Sequence, residues 1–265
     1  GGNITYSRFW DWEQYKPRFS NSWDEYRNSI WHRVGYVNWG YEAIGRFDSW
    51  EQIANYPVDN DRKGNRTVVP GDIMYKDQNN DGVINYLDER PIGYRVDSTP
   101  TLNFGINLSA SWKGFDLAMD WTGSGMTSWN QCYETARPFQ NDGNSPDEVL
   151  KDAWHLSDIW DANSPLIPGK YPMVRLNTDE TSAYDKSSYW LHNVTYLKLR
   201  NLEVGYTFPK TWLNRTGISN LRLFVSGTNL LTLSNLSVMD PECASDNGLD
   251  YPPMRVINIG VNLKF

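Results

Sequence analysis

Nowhere in its 265 residues does the chain carry an apolar run near the roughly 18 that a spanning helix requires, so any membrane reading has to use strands. Histidine is scarce: His32, His155 and His192 stand apart without metal-ligand spacing, and each reads as a surface or packed residue. Only two cysteines occur, Cys132 and Cys243, far apart and both loop-borne, which favours two free thiols over a disulfide. Positive charge is in deficit, with 25 Lys and Arg against 32 Asp and Glu, and the net charge of -7 argues against a nucleic-acid partner. Phosphate-loop and dinucleotide fingerprints are absent. Ser124, between Gly123 and Gly125, lacks the surroundings of a nucleophile elbow, and nothing singles out a pair among the many acids for glycoside cleavage. An enzyme is therefore not expected. The chain also opens Gly1-Gly2-Asn3 with no initiator methionine or signal peptide and goes straight into strand-like sequence, so the expectation is that an amino-terminal part of a larger protein lies elsewhere.

What the chain has in quantity is aromatic: 13 Trp and 16 Tyr in a composition only 39% hydrophobic, which suits rings at a membrane interface or against sugars. It also has alternation. In the last eleven residues Ile257, Ile259, Val261, Leu263 and Phe265 share one face of a strand, while Asn258, Gly260, Asn262 and Lys264 share the other. A final strand with one greasy face, ending on an aromatic residue, reads as a barrel strand with lipid on one side and a lumen on the other.

Five further strands follow the same rule, near residues 4–12, 101–110, 115–122, 196–208 and 221–229. Leu102, Phe104, Ile106, Leu108 and Ala110 oppose Thr101, Asn103, Gly105, Asn107 and Ser109. Phe115, Leu117, Met119 and Trp121 oppose Asp116 and Asp120, acids too costly in lipid, so their face is expected to line the lumen. The phase slips between Leu199 and Leu202, which predicts a bulge near Arg200 and Asn201. Three long connections, about 15–99, 123–195 and 231–254, alternate with two short ones. Counting back from a periplasmic carboxy-terminus places all the long loops outside the cell and both short turns in the periplasm. A short helix is expected over residues 145–150, with Ser145 as cap and Pro146 in the first turn. Six strands do not close a barrel, so the remaining strands are expected from another part of the protein.

Several stretches, in order, carry a family resemblance: Gly71-Asp72-Ile73-Met74-Tyr75-Lys76-Asp77, the Asp-rich run to Arg90, Ile92-Gly93 and Trp112-Lys113-Gly114-Phe115-Asp116. Further on come Tyr196-Leu197-Lys198-Leu199-Arg200-Asn201-Leu202, Gly205-Tyr206, Val225-Ser226-Gly227-Thr228-Asn229-Leu230-Leu231, Asp240-Pro241-Glu242 and Tyr251-Pro252. They resemble the carboxy-terminal part of SusC/RagA-like TonB-dependent transporters of Bacteroidetes. The resemblance implies an all-β fold, the last six strands of a 22-stranded antiparallel transmembrane barrel in the outer membrane. It also implies partners: an amino-terminal plug and the rest of the barrel, TonB, a SusD-like surface lipoprotein, and an oligosaccharide or oligopeptide cargo.

One candidate site stands out. Asp77, Asn79 and Asp81 occupy positions 1, 3 and 5 of an EF-hand-type calcium loop, and Gly82 sits at the sharp turn. Val83 offers its carbonyl at position 7, Asn85 takes the water-bridging position 9, and Asp88 stands at 12, where a Glu is usual. Dockerin-like loops tolerate that shorter acid, and residues 77–88 resemble one of them. The expectation is a structural calcium site of weak affinity, on the order of 10⁻⁴ M. The competing reading is an Asx-rich turn. Trp23, Trp31, Trp39, Trp50, Trp129, Trp154, Trp160 and Trp190 fall in the long loops, among amides and acids that suit a sugar-binding surface, although packing accounts for any single one. Trp10, Trp12, Trp112 and Trp212 lie near strand ends, where interface anchoring is the ordinary role. The competing functional class is a secreted, calcium-stabilised all-β carbohydrate-binding module, which leaves Phe265, Asp116 and Asp120 unexplained.

Overall fold

Six strands pair antiparallel in one sheet, in chain order, in the computed structural model. They are β1 (Gly2–Tyr6), β2 (Leu102–Trp112), β3 (Phe115–Asn130), β4 (Leu191–Thr207), β5 (Asn220–Ser234) and β6 (Val256–Lys264). The structure describes residues 1–12, 15, 17–95, 100–176, 180–214, 217–242 and 247–265. Cys243, and with it any pairing to Cys132, lies outside the described residues.

The register explains why alternation is kept on every strand. Ile106 pairs with Trp121 and Leu108 with Met119; Met119 meets Leu202 and Leu117 meets Val204; Val204 meets Val225, and Val225 meets Ile259. The apolar residues of neighbouring strands therefore lie side by side on one face. They stay open: Ile259 is 83% exposed and Ile257 65%. A contiguous apolar surface of this extent needs a cover, because monomeric soluble proteins rarely leave more than a few hundred Å² of such surface in water. On the opposite face Asp120 stands between Asn107 and Asn201, and Ser226 pairs with Asn258.

The expected bulge is present. Between Leu199 and Asn201 the register of β4 shifts against both neighbours, and Arg200 is the extra residue relative to β3. Leu197 and Leu199 thereby keep to the same face as Leu202, Val204 and Tyr206. A second irregularity, between Val194 and Tyr196, leaves the extra residue on β3, where Met126 takes φ +55°. The β2–β3 hairpin closes on Lys113 and Gly114, at φ +48° and +90°, the pair of positive values that a two-residue turn matched to strand twist requires.

Strand limits differ from the alternation reading in four places, one of them β4, which begins at Leu191 rather than at Tyr196. β1 ends at Tyr6, and Trp10–Asp11 pairs instead with Arg33–Val34 in a separate ribbon. β3 continues past Thr122 to Asn130, and β5 past Asn229 to Ser234. The alternation fades there because the upper half of β3 is covered on both sides: Ser124, Thr127, Ser128 and Trp129 are all buried. The short helix spans Asp147–Lys151, but Pro146 holds the cap position and the Ser145 hydroxyl bonds nothing, since a proline one residue later takes the place Ser145 needed.

The first two long connections are not separate loops. Tyr41, Ile73, Tyr75 and Ile84 from the first share one buried core with Val149, Tyr171, Tyr184 and Trp190 from the second. Polar bonds lock the halves together: Tyr75 Oη donates to the Ser182 carbonyl at 2.7 Å, and Asn60 Nδ2 donates to Ser182 Oγ at 3.2 Å. The third connection adds Leu236, packed against Trp129, Val194 and Tyr196. Among the described residues no helix is long and apolar enough to cross a membrane, which says nothing of strands.

Candidate functional site

The Asp-rich loop is built on a short strand, Ile73–Tyr75, paired with Ala43–Arg46. From Asp77 the backbone folds round the acids. Asp77 accepts from the Asn80 N–H at 2.6 Å and the Gly82 N–H at 2.8 Å, while Asp81 accepts from the Val83 N–H at 2.9 Å. Gly82 takes φ +82°, the left-handed turn that position 6 calls for. Asn85 then caps the 3₁₀ turn Tyr86–Asp88, accepting from the Leu87 N–H at 2.9 Å, and Asp88 answers by accepting from the Asn85 N–H at 2.8 Å. Ile84, fully buried, anchors the loop, and its N–H donates to the Asp59 carbonyl at 2.9 Å.

One carboxylate oxygen from each of Asp77, Asp81 and Asp88 lies within 4.8 Å of the other two. Asp88 is buried, Asp77 half-buried and Asp81 exposed, so the cluster forms a rimmed cup open on the Asp81 side. Asn79 and Asn85 each turn an amide nitrogen to Asp81, at 2.9 and 3.3 Å, and Asn85 Nδ2 also donates to the Val83 carbonyl at 3.1 Å. The Asn79 and Val83 bonds hold the Asp81 carboxyl below the usual carboxylate range. Of the six sequence-chosen positions, Asp77, Asp81 and Asp88 bring carboxylate oxygens together, the donor type a hard divalent cation takes, whereas the amide oxygens of Asn79 and Asn85 accept from the Asp81 and Leu87 N–H groups and the Val83 carbonyl accepts from Asn85.

Two ion clusters on the polar face of the sheet were not assigned from sequence. Lys198, almost wholly buried, donates from Nζ to both oxygens of Asp240 at 2.7 Å and to Glu242 Oε2 at 2.9 Å. Arg200 donates to the other Glu242 oxygen, to Thr122 Oγ1 at 2.9 Å and to Asn229. The Asp240-Pro241-Glu242 motif is therefore a clasp that draws the third connection onto the sheet. Nearer the hairpin end, Arg222 spans Asp116 and Glu203. Beside the clasp lies a polar recess of about 310 Å³, bordered by Asn103, Thr122, Ser124, Tyr196, Arg200 and Glu242.

Within the paired connections, Asp61 sits in a ring of donors. Burial pushes its carboxyl up, but the N–H and hydroxyl of Thr67 and the N–H groups of Lys63 and Asn65 outweigh that and hold it at about 2. The loop tryptophans divide by environment. Trp39, Trp129, Trp154 and Trp190 are buried packing residues, whereas Trp31, Trp50 and Trp160 are exposed. The histidines make single polar contacts, His155 with the Ala153 carbonyl and His192 with Gln131, and none joins a metal-competent group among the described residues.

No family model matches the chain. It is similar to curated proteins: 30% identical over 242 residues to TonB-dependent receptor P3 of Formosa agariphila, covering 84% of this chain and 22% of that one. It is 24% identical over 252 residues to TonB-dependent receptor SusC of Bacteroides thetaiotaomicron, covering 88% of this chain and 20% of that one. The chain thus spans about a fifth of the length of these relatives. Among solved structures, it shares the fold of the RagAB peptide transporter, with a TM-score of 0.56 at 21% identity over 89% of this chain and 23% of that one. The alternation, the motif order and these likenesses agree: over most of its length the chain is similar to TonB-dependent receptors, SusC among them.

Proposed function

We propose that this chain supplies six adjacent strands and the outer loops of a TonB-dependent importer in the bacterial outer membrane. The observation that carries the reading is the register, which sets the large exposed apolar residues of six strands on one face, Val256 at the start of β6 excepted, and the acids, amides and ion clusters on the other. Lipid covers the first face, and a water-filled lumen meets the second. Both sheet edges are open among the described residues, so the reading includes closure by further strands into a 22-stranded plugged barrel. The exposed apolar face weighs against a secreted carbohydrate-binding module, which would have to leave it in water.

In this reading the long connections face outward under a SusD-like lipoprotein, and the carboxy-terminus lies on the periplasmic side. Exposed Trp12, Trp112 and Trp212, near strand ends, sit at the level of the lipid headgroups. The cargo is an oligosaccharide. It passes along the polar face, whose recess offers amides, hydroxyls and Arg200, and it enters the cell when TonB pulls the plug. No bond chemistry is assigned to the chain. Isolation of the whole protein from its native membrane in mild detergent, with mass spectrometry of what co-purifies, tests this. A plug-bearing barrel with a surface lipoprotein and bound glycan is expected. Bound peptide would replace the cargo, and recovery as a detergent-independent soluble protein would overturn the barrel.

Calcium belongs to the same reading. Asp77, Asn79, Asp81, the Val83 carbonyl, Asp88 and, through water, Asn85 would hold the ion, which supplies positive charge to three converging carboxylates. Its role is structural, fixing residues 77–88 against the segment at Asp59, which bridges Val83, and so stiffening the core shared by the two loops.

A further inference from the structure

A cavity of about 500 Å³ opens where the end of β1 meets the ribbon Trp10–Asp11/Arg33–Val34 and the starts of β2 and of the covered half of β3. Its charge is unlike that of the chain around it. The whole sequence has a surplus of acids and a net charge of -7, yet among the described residues the cavity wall carries three arginines, Arg8, Arg33 and Arg95, and no Asp or Glu. The Arg33 guanidinium lies over the rings of Tyr26 and Trp39, at 5.7 and 5.8 Å from their centroids, and that of Arg95 lies 3.9 Å from the Tyr36 centroid. A ring holds the Arg33 cation without neutralising it, so the charge of Arg33 remains available to a ligand. Arg8 has neither an ion pair nor a hydrogen bond within the described residues.

The rest of the wall supplies flat apolar surface from Trp10, which is half exposed, and Trp39, which is buried. Three residues of this wall, His32, Tyr36 and Met126, take left-handed φ values of +52°, +60° and +55°, conformations unfavourable for side chains of this bulk. Such backbone persists where the surroundings impose it, and here it turns an aromatic ring and an imidazole toward the same space.

We propose that this cavity binds an acidic sugar residue, one bearing a carboxylate or sulfate ester, with Arg8 and Arg33 on the anion and Trp10 against the C–H face of the ring. Arginine matches both oxyanions in fork geometry, and an indole face takes a pyranose better than a flexible peptide side chain. The proposal rests on the importer reading and narrows it: the outer loops select acidic over neutral glycan before the cargo reaches the polar face of the sheet.

The test uses the whole detergent-purified protein and reads binding by calorimetry with trigalacturonate, a sulfated trisaccharide, maltotriose and triglutamate. Trigalacturonate or the sulfated trisaccharide is expected to bind, more weakly as salt rises, with maltotriose at least about tenfold weaker. Arg8→Gln is expected to weaken the acidic sugar about tenfold and leave maltotriose unchanged. Trp10→Phe, which keeps a ring, should retain most of the affinity, and Trp10→Ala should lose it. Equal binding of maltotriose, preference for triglutamate, or an unaltered affinity in Arg8→Gln overturns the proposal. Heat-modifiable migration and outer-membrane fractionation of the same preparation report on the barrel separately, so a binding failure with an intact barrel removes only the acidic-sugar site.

Discussion

Arg222 on β5 reaches Asp116 on β3 across the whole width of β4, its Nε donating to Asp116 Oδ1 at 3.0 Å. The strand between them makes room with Gly205, where a Cβ would stand 2.4 Å from the guanidinium. A pairing of two strands that are not neighbours is thus written into a third. Gly205→Val is expected to displace Arg222, strand Asp116 and Glu203 without their cation, and lower the thermal midpoint of the purified protein. Gly205→Ala should do so less. A midpoint unchanged in the valine variant would show that the guanidinium has another route.

Calcium should stabilise the intact protein in proportion to its occupancy. With a dissociation constant near 10⁻⁴ M, 10 mM calcium contributes about 2.7 kcal/mol over a chelated sample. The expected readout is a rise in the melting midpoint on adding calcium and its reversal by chelator. Asp77→Asn together with Asp81→Asn should abolish the response, and should lower the apo midpoint as well, since both acids accept N–H bonds within the loop. An equal response in wild type and variant would place the ion elsewhere.

The clasp on Lys198 makes a different prediction. Removing one partner from a buried charged cluster costs about 3–5 kcal/mol, because the groups left behind remain desolvated. Lys198→Met should therefore release the third connection, seen as faster hydrogen exchange and protease cleavage across residues 236–254, while strands β2 and β3 keep their protection. Uniform loss of protection would mean that the clasp holds the sheet rather than the loop.

Acid should act through Asp61. Its carboxyl is held at about 2 in the fold, below the roughly 3.9 of an unfolded chain, so its contribution is complete above pH ~4 and is lost as pH falls toward 2. In Asp61→Asn the part of the acid destabilisation between those values should be missing, measured as the near-ultraviolet circular dichroism midpoint against pH. The neutral-pH midpoint should drop as well, since the new amide turns donors toward the N–H groups that the acid had accepted from.

How far the chain could be read without coordinates depended on how local each determinant is. The six strands and the Arg200 bulge follow from the parity of near neighbours, and the Asp77 loop from spacing within twelve residues. Trp39 and Trp190, by contrast, read as potential sugar platforms because nothing nearby shows that the two long connections share a core. Likewise Asp240 and Glu242 could be noticed but not given a role, since their partner Lys198 lies some forty residues back and its burial depends on the loop returning. Ser145 failed as a cap for a local reason: the proline that follows it took the capping position.

The bulge at Arg200 also sets which changes of length β4 can absorb. Removing Arg200 would keep Lys198 and Asn201 on one face and even the pairing with β3, but on the other side it would leave Asn229 and Leu230 of β5 opposite no residue. Losing a residue further along, at Val204, inverts part of the strand and sends Glu203 into lipid or Leu202 into water. The bulge is therefore a joint of three strands, and a change of length at Arg200 has to be matched by one on β5 near Asn229 and Leu230.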